Sequence, residues 1–390
     1  MIAGGLALGL VGAVAPAGSA VATQEHVAAG PTAALPAPGA AGASTDTLAG
    51  WSLRQKVGQL FMVGVPVGSG RTASYQAVTK KHVGNIFLAG RTSAGRTAVH
   101  NLVEAFTGTV SQKTTHGTPM LVATDQEGGL VQVLKGTGFS TMPTAMKQST
   151  WGRKKLRKKA KKWGKQLARA GVNLNLAPVT DVVTSARTAP TNAPIGAFQR
   201  NYGYGPTSTW KHANAFGKGM RKAGVAVTAK HFPGLGRVAG NTDTTAKVTD
   251  AVTTSSASDP QITAFRHAVD AGVPFVMTSS AVYSRIDAKH PAAFSRKVVT
   301  KILRKKLGFD GVVISDDLSA AKAVARWTPG QRAVKFLKAG GDMVLVSADA
   351  SVAAEMVDAV VARAKTHPAF AKKVDAAVAR VLAAKQGLGS

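Results

Sequence analysis

Five short apolar segments of this chain end in polar side chains that could share one reaction. Thr124-Asp125-Gln126-Glu127-Gly128-Gly129 closes the first, and Asp181 follows the second, beyond Leu176-Ala177-Pro178. Lys230-His231-Phe232-Pro233-Gly234, Met277-Thr278-Ser279-Ser280 and Ser315-Asp316-Asp317 close the other three. The chain has only 19 acids in 390 residues, so finding several of them at such ends is a pattern rather than scattered surface charge. The chemistry they fit is glycoside hydrolysis with retention. That reaction needs one carboxylate near the anomeric carbon as nucleophile and a separate acid/base for the leaving oxygen. A short Asp held at a strand end suits the first task, and Lys, His, Arg and a second Asp suit the gripping of sugar hydroxyls. Plainer readings exist for single residues. Asp317 precedes Leu318-Ser319-Ala320 and reads equally well as a helix N-cap, and Gly128-Gly129 reads as a turn.

The elements that must position these residues are legible as eight apolar runs: 58–65, 83–89, 119–125, 172–178, 225–232, 274–278, 311–316 and 343–347. Each is nearly continuous in apolar residues, as strands buried on both faces are. Helical patterns separate most of them, at 94–111, 207–223, 260–271, 296–307 and 351–365, and 374–386 reads as a closing helix. Strand alternating with helix predicts an α/β chain folded as a single (β/α)8 TIM-type barrel, whose site forms at the C-terminal strand ends. A doubly wound open sheet is the alternative. No Gly-x-Gly-x-x-Gly turn follows the first strand, so its dinucleotide-binding version has little support.

Length agrees with a barrel, which takes ~250 residues plus insertions. Residues 1–22 combine an uncharged Ala/Gly/Leu/Val stretch with Ala20-Val21-Ala22, which reads as a secretory signal peptide lacking the usual basic start. Residues 23–46, rich in Ala, Pro and Gly, read as a flexible tether, leaving 47–390 for the barrel. The expected location is therefore outside the cell, in association with the cell wall, with no stable membrane span in the mature chain. The absence of cysteine excludes disulfides, thiolate catalysis and Cys-ligated zinc. Net charge is +30, and ten Lys/Arg with no acid fall between Trp151 and Ala170. There Leu156, Ala160, Trp163, Leu167 and Ala170 recur at helical spacing, giving an amphipathic helix with a very basic outer face. Its plain reading is a solvated helix on the barrel wall. Its functional reading is attraction to an anionic cell-wall polymer. No nucleic-acid partner is expected, since no aromatic interleaving or nucleic-acid module accompanies the charge.

The motifs together resemble the glycoside hydrolase family 3 β-N-acetylhexosaminidases, the NagZ-like enzymes. Lys230-His231-Phe232-Pro233-Gly234 is similar to their KHFPGHG signature, Thr124 to Gly129 to TDQEGG, and Leu176-Ala177-Pro178-Val179-x-Asp181 to APVxDV. Gly311 to Leu318 resembles their nucleophile strand, and Ala339-Gly340-Gly341-Asp342-Met343 their AGxDM segment. The resemblance implies a retaining exo-glycosidase acting on terminal β-N-acetylhexosaminides, with a carbohydrate substrate and no metal or organic cofactor. It implies Asp316 as nucleophile, with Asp125, Lys230, His231, Arg200 and Met277 around the sugar.

Three positions depart from the pattern. The family's acid/base histidine, in an Asp-x-His pair, is Thr245 here; only its aspartate, Asp243, is present. The second histidine of KHFPGHG is Leu235, and an arginine after TDQEGG is Leu130. Threonine does not exchange protons usefully near neutral pH. Asp243 is accordingly the candidate acid/base, its pKa raised by a closed loop. The alternatives are a weak or inactive barrel that binds cell-wall glycan, and a β-glucosidase-type member of the family.

Overall fold

The computed structural model describes residues 48–388. The signal-peptide and tether segments expected at 1–22 and 23–46 lie outside the described residues.

Eight parallel strands run in the order β7-β6-β5-β4-β3-β2-β1-β8. They are β1 (Phe61–Pro66), β2 (Asn85–Ala89), β3 (Leu121–Thr124), β4 (Leu174–Asn175), β5 (Ala226–Phe232), β6 (Phe275–Thr278), β7 (Val312–Ser315) and β8 (Val344–Val346). A parallel bridge from Ile314 to Met343 joins β7 to β8, and the Ser315 N–H donates to Met343 O at 2.9 Å, closing the sheet into a barrel. Strands β3, β5, β6, β7 and β8 are buried at every position, which is why they read as unbroken apolar runs.

One helix follows each strand on the outside. They are α1 (Thr72–Lys81), α2 (Gly95–Thr107), α3 (Arg153–Ala168), α4 (Gly205–Arg221), α5 (Pro260–Asp270), α6 (Lys297–Lys306, wound as a π-helix), α7 (Pro329–Ala339) and α8 (Ala353–Thr366). Local chemistry sets several starts. Thr328 and Gln331 form a reciprocal capping box with Pro329 at the first turn of α7, and Asp259 caps α5 ahead of Pro260. On α3 the buried residues Leu156, Ala160, Trp163 and Leu167 face inward, as their spacing predicts.

Two strand limits differ from expectation. Residues 58–60 do not extend β1. A helix, Leu53–Gln59, ends there with Leu60 as its C-cap, and that end is itself buried, so apolar character does not separate helix from strand at this point. The fourth run pairs regularly only at Leu174–Asn175. Beyond it Pro178 has no N–H to give, and the chain follows β5 through single bonds, Thr228 N–H to Ala177 O at 3.0 Å and Thr180 N–H to Lys230 O at 2.6 Å.

The N-terminal base of the barrel is locked by charge. Asp342, fully buried, accepts from Arg380 Nε at 2.9 Å, from the Val313 N–H at 2.7 Å and from Arg304. Nearby, Lys385 of the closing helix Pro368–Gln386 donates to Gln59 Oε1 at 2.6 Å and Gly84 O at 3.0 Å, with no ion pair among the described residues. Burial alone pulls its pKa down to about 7.

Candidate active site

A cavity of about 350 Å³ opens at the C-terminal strand ends. It is lined by Asp125, Arg200, Lys230, His231, Asp243, Met277 and Asp316, so every site residue expected from the sequence faces one space. Phe87 in the middle of β2, Met277 on β6 and Leu345 on β8 supply apolar lining from the barrel, and small and polar loop residues such as Asn241, Ala320 and Ser347 complete it with the ionisable groups.

Asp125 follows β3 directly. Its Oδ1 accepts from Lys230 Nζ at 2.6 Å. Two residues on, Glu127 Oε1 receives the same Lys230 Nζ at 2.6 Å and Arg200 Nη2 at 2.8 Å, while Oε2 receives Arg200 Nε at 2.9 Å. This bidentate fork is the geometry arginine is built for. Burial would raise the Glu127 pKa, but Arg200 and Lys230 overcome it and hold the carboxyl at about 2. Burial likewise opposes the charge on Lys230, and Asp125 and Glu127 prevail, keeping it an ammonium. The hairpin that carries Glu127 turns at Gly128, whose φ is +113°; a Cβ there would lie 2.2 Å from Pro143 O, so no other residue fits.

His231 is held from behind. Asp181 Oδ2 lies 2.7 Å from its Nδ1, and Asp181 Oδ1 accepts the His231 and Leu235 N–H groups at 3.0 and 2.8 Å. With Nδ1 committed to the carboxylate, Nε2 is the nitrogen left for a ligand. Asp181 is fully buried and does not line the cavity.

Asp316 follows β7. Its backbone N–H donates to Thr278 O at 3.0 Å, and its Oδ1 accepts the Asp317 N–H at 2.9 Å. Burial raises its pKa, tempered by His231. Asp317 is occupied elsewhere. Its carboxylate accepts from Ser319 Oγ at 2.6 Å and from the N–H groups of Ser347 and Ala320, each at 2.8 Å, so it ties the loop after β7 to the end of β8. No helix begins at 318–320, so Asp317 ties two loops together rather than capping a helix.

Asp243 arrives on the loop after β5. Two main-chain bonds seat that loop on the one after β7, Lys322 N–H to Asp243 O at 3.1 Å and Ala323 N–H to Thr242 O at 3.0 Å. Arg237 anchors its start to Asp259 at 3.1 Å, and Asn192 Nδ2 holds Leu235 O and Val238 O, each at 2.7 Å. The loop surface is exposed, while the Asp243 carboxyl faces the cavity. Loss of water around that carboxyl, then repulsion from Asp316 and Asp317, push its pKa up to about 6. Asp243 is itself an exposed residue, so solvent screening works against this shift. Thr245 is exposed and does not line the cavity.

Glu127 and Asp181 were not among the site residues expected from the sequence. Glu127 had a signal: it lies two residues after Asp125, and alternation places such a pair on one face. Asp181 stood at a strand end in the segment similar to APVxDV, but nothing local tied it to His231. Among the described residues no group of three or more His, Asp or Glu is placed to hold a metal ion.

A closed parallel barrel with paired carboxyl groups over a sugar-sized cavity defines a (β/α)8 glycosidase architecture. Comparison with known proteins gives the family. Residues 52–384 match the Glycosyl hydrolase family 3 N terminal domain. The chain is 31% identical over 309 residues to the Beta-hexosaminidase LpqI of Mycobacterium tuberculosis, covering 75% of this chain and 73% of that protein. It is 34% identical over 253 residues to a secreted glycosyl hydrolase of Arthroderma benhamiae, covering 64% of this chain and 70% of the other. The crystal structure of a Beta-N-acetylhexosaminidase from Beutenbergia cavernae superposes with a TM-score of 0.85 at 55% identity, over 86% of this chain and 99% of that one. The chain belongs to glycosyl hydrolase family 3 and is a glycoside hydrolase.

Proposed function

We propose that the protein is a retaining exo-β-N-acetylhexosaminidase. Asp316 is the nucleophile and Asp243 the acid/base. Asp125, Lys230, His231 and Arg200 grip the hydroxyls of the terminal sugar, and Met277 lies against its ring. The observation that carries this reading is the convergence of all seven side chains on one cavity with room for a single sugar. The 55% identity to a β-N-acetylhexosaminidase supports the N-acetyl preference.

The division of labour follows from environment. Asp316 accepts one hydrogen bond within the protein, from the Asp317 N–H, and retains a free oxygen for attack. Asp243, with its pKa near 6, is partly protonated in mildly acidic solution and able to protonate the leaving oxygen. After the glycosyl–enzyme forms, the same carboxylate deprotonates the incoming water. The Glu127–Arg200–Lys230 cluster keeps its charges fixed through both steps, so the hydroxyl grip needs no rearrangement.

Residues 1–22 as an export signal, 23–46 as a tether and 47–390 as the barrel place the enzyme outside the cell. The secreted relative supports that placement. Among the described residues no helix is long and apolar enough to cross a membrane. The basic helix α3 suits retention at an anionic polymer of the cell wall.

The test is hydrolysis of an aryl β-N-acetylglucosaminide beside an aryl β-glucoside, with Asp316→Asn and Asp243→Asn. Turnover of the N-acetyl substrate, abolished by the first change and crippled by the second, is expected. Faster turnover of the glucoside would replace the N-acetyl assignment with a β-glucosidase. No turnover of either, with sugar binding intact, would leave a glycan-binding barrel, and Thr245 in place of a proton donor is what favours that second reading.

A further inference from the structure

The exposed cations are not evenly spread around the barrel wall. Arg153, Lys154, Lys155, Arg157, Lys158, Lys159, Lys161, Lys162, Lys165 and Arg169 are all exposed on α3 and its immediate end. Among the described residues none of them has a carboxylate within 4.0 Å, although pairs such as Arg54–Asp358 and Lys56–Asp375 form elsewhere on the surface. The charge continues onto α4. The two helices run parallel and pack closely because glycines stand where they meet. A Cβ on Gly219 would meet Ala160 Cβ at 2.6 Å and Arg157 O at 2.5 Å, and one on Gly164 would meet Ala223 Cβ at 2.8 Å. That approach sets exposed Lys218 and Lys222 beside the Lys161–Lys165 stretch.

We infer that the α3–α4 face is a binding ridge for a linear, phosphodiester-linked glycopolymer lying along the barrel wall. This rests on the envelope setting proposed above and adds the partner's chemistry and its place on the fold. Lys154, Lys158, Lys161 and Lys165 follow one stripe over 11 residues, about 16 Å at 1.5 Å per residue. The ridge is mostly lysine, a point charge suited to a row of single anions rather than to forked recognition of a planar carboxylate. Two other polyanions fit poorly. The apolar side of α3 is buried against the barrel, so no apolar surface remains to enter a lipid layer. The aromatic side chains on and just before α3 are engaged: Trp163 is buried, and Trp151 is part-buried with Lys155 Nζ 5.2 Å from its ring centre, so the lysine stripe has no interleaved aromatic to stack on nucleic-acid bases.

The helix runs from mouth to base, outside the strands, and the cavity is lined by none of its residues. The ridge therefore retains the enzyme without occupying its cavity. An exo-acting enzyme held this way keeps access to successive chain ends near its attachment point.

The experiment compares the parent with a variant carrying Lys154→Gln, Lys158→Gln, Lys161→Gln and Lys165→Gln. Both are sedimented with purified cell walls that bear poly(glycerol phosphate), and with the same walls after chemical removal of that polymer. Parent binding should fall with rising salt and fall on stripping the walls. The variant should bind roughly tenfold or more weakly at about 0.1 M salt, and its salt slope should be shallower by about 0.7 for each lysine–phosphate pair removed. Its hydrolysis of the aryl N-acetylglucosaminide should equal the parent's. Equal sedimentation of parent and variant, or of intact and stripped walls, would overturn the ridge. So would tighter binding to duplex DNA or to phosphatidylglycerol vesicles than to poly(glycerol phosphate) alone. If the parent lacks glycosidase activity, the catalytic reading fails while the wall-binding comparison still reads out the ridge.

Discussion

Both ends of the barrel bury charge, and they treat it in opposite ways. At the base, Asp342 is saturated: two arginines and a backbone N–H take up its oxygens. At the mouth, Glu127 is saturated in the same manner by Arg200 and Lys230, but Asp316 accepts only the Asp317 N–H and the Asp243 carboxyl faces open cavity. The base uses buried charge to fix one arrangement of chain. The mouth uses it to hold two carboxyl groups with unused acceptor capacity; burial raises both pKa values, and repulsion from Asp316 adds to the rise at Asp243. Removing a saturated carboxylate strands its partners, whereas removing an unsaturated one relieves strain and costs only chemistry.

The largest effect should come from Asp316→Asn. Loss of the nucleophile is expected to lower kcat by roughly 10³-fold or more, with a melting temperature equal to or above the parent's. A clear fall in melting temperature would break the contrast with the base. Asp243→Asn should cost roughly 10²- to 10⁴-fold with ordinary substrates and far less with a good leaving group. The parent's kcat/KM should decline as pH rises through about 6, where Asp243 gives up its proton, and the decline should vanish in the variant. Because Asp316 and Asp243 interact, the limbs of the profile belong to the pair.

Asp342→Ala should do the reverse of Asp316→Asn. Arg304 keeps its bond to Phe309 O and Arg380 is part-exposed, so the chief cost is the buried Val313 N–H left without an acceptor, a loss of about 1–3 kcal/mol in a denaturant titration, while activity per folded molecule is retained. Lys385→Met sharpens the comparison most finely. Lys385 has a folded pKa of about 7 against 10.5 when unfolded, so between those values the unfolded chain binds more protons and stability rises with pH. The variant should lose that rise and gain stability at and below neutral pH.

The barrel was legible in the sequence because its strands are buried on both faces and leave apolar runs that no solvent-facing strand produces. The failures lie where burial does not distinguish structures, as at 58–60, or where a proline cuts the pairing, as at Pro178. The cavity was legible because strand order fixes which ends converge. What remained hidden was which carboxylates serve the others. Asp181 orients His231 across 50 residues of chain and Glu127 clamps Arg200 across 73, and neither partnership leaves a local trace. The role of Asp317 likewise depended on Ser347, a residue from the following strand end.

The tip of the loop that presents Asp243 meets the loop after β7 through main-chain atoms, the carbonyls of Thr242 and Asp243 accepting from the N–H groups of Ala323 and Lys322, while side chains hold its base, Arg237 on Asp259 and Asn192 on Leu235 O and Val238 O. The seat of the tip thus makes no demand on the exposed side chain at Thr245. The segment behaves as an exchangeable cassette: residues 240–247 from a relative with histidine at the Thr245 position should dock in the same seat and bring a different proton donor with them. A fold that separates the seating of a loop from its side-chain content lets a lineage revise the chemistry of one step while its sugar grip and nucleophile are inherited unchanged.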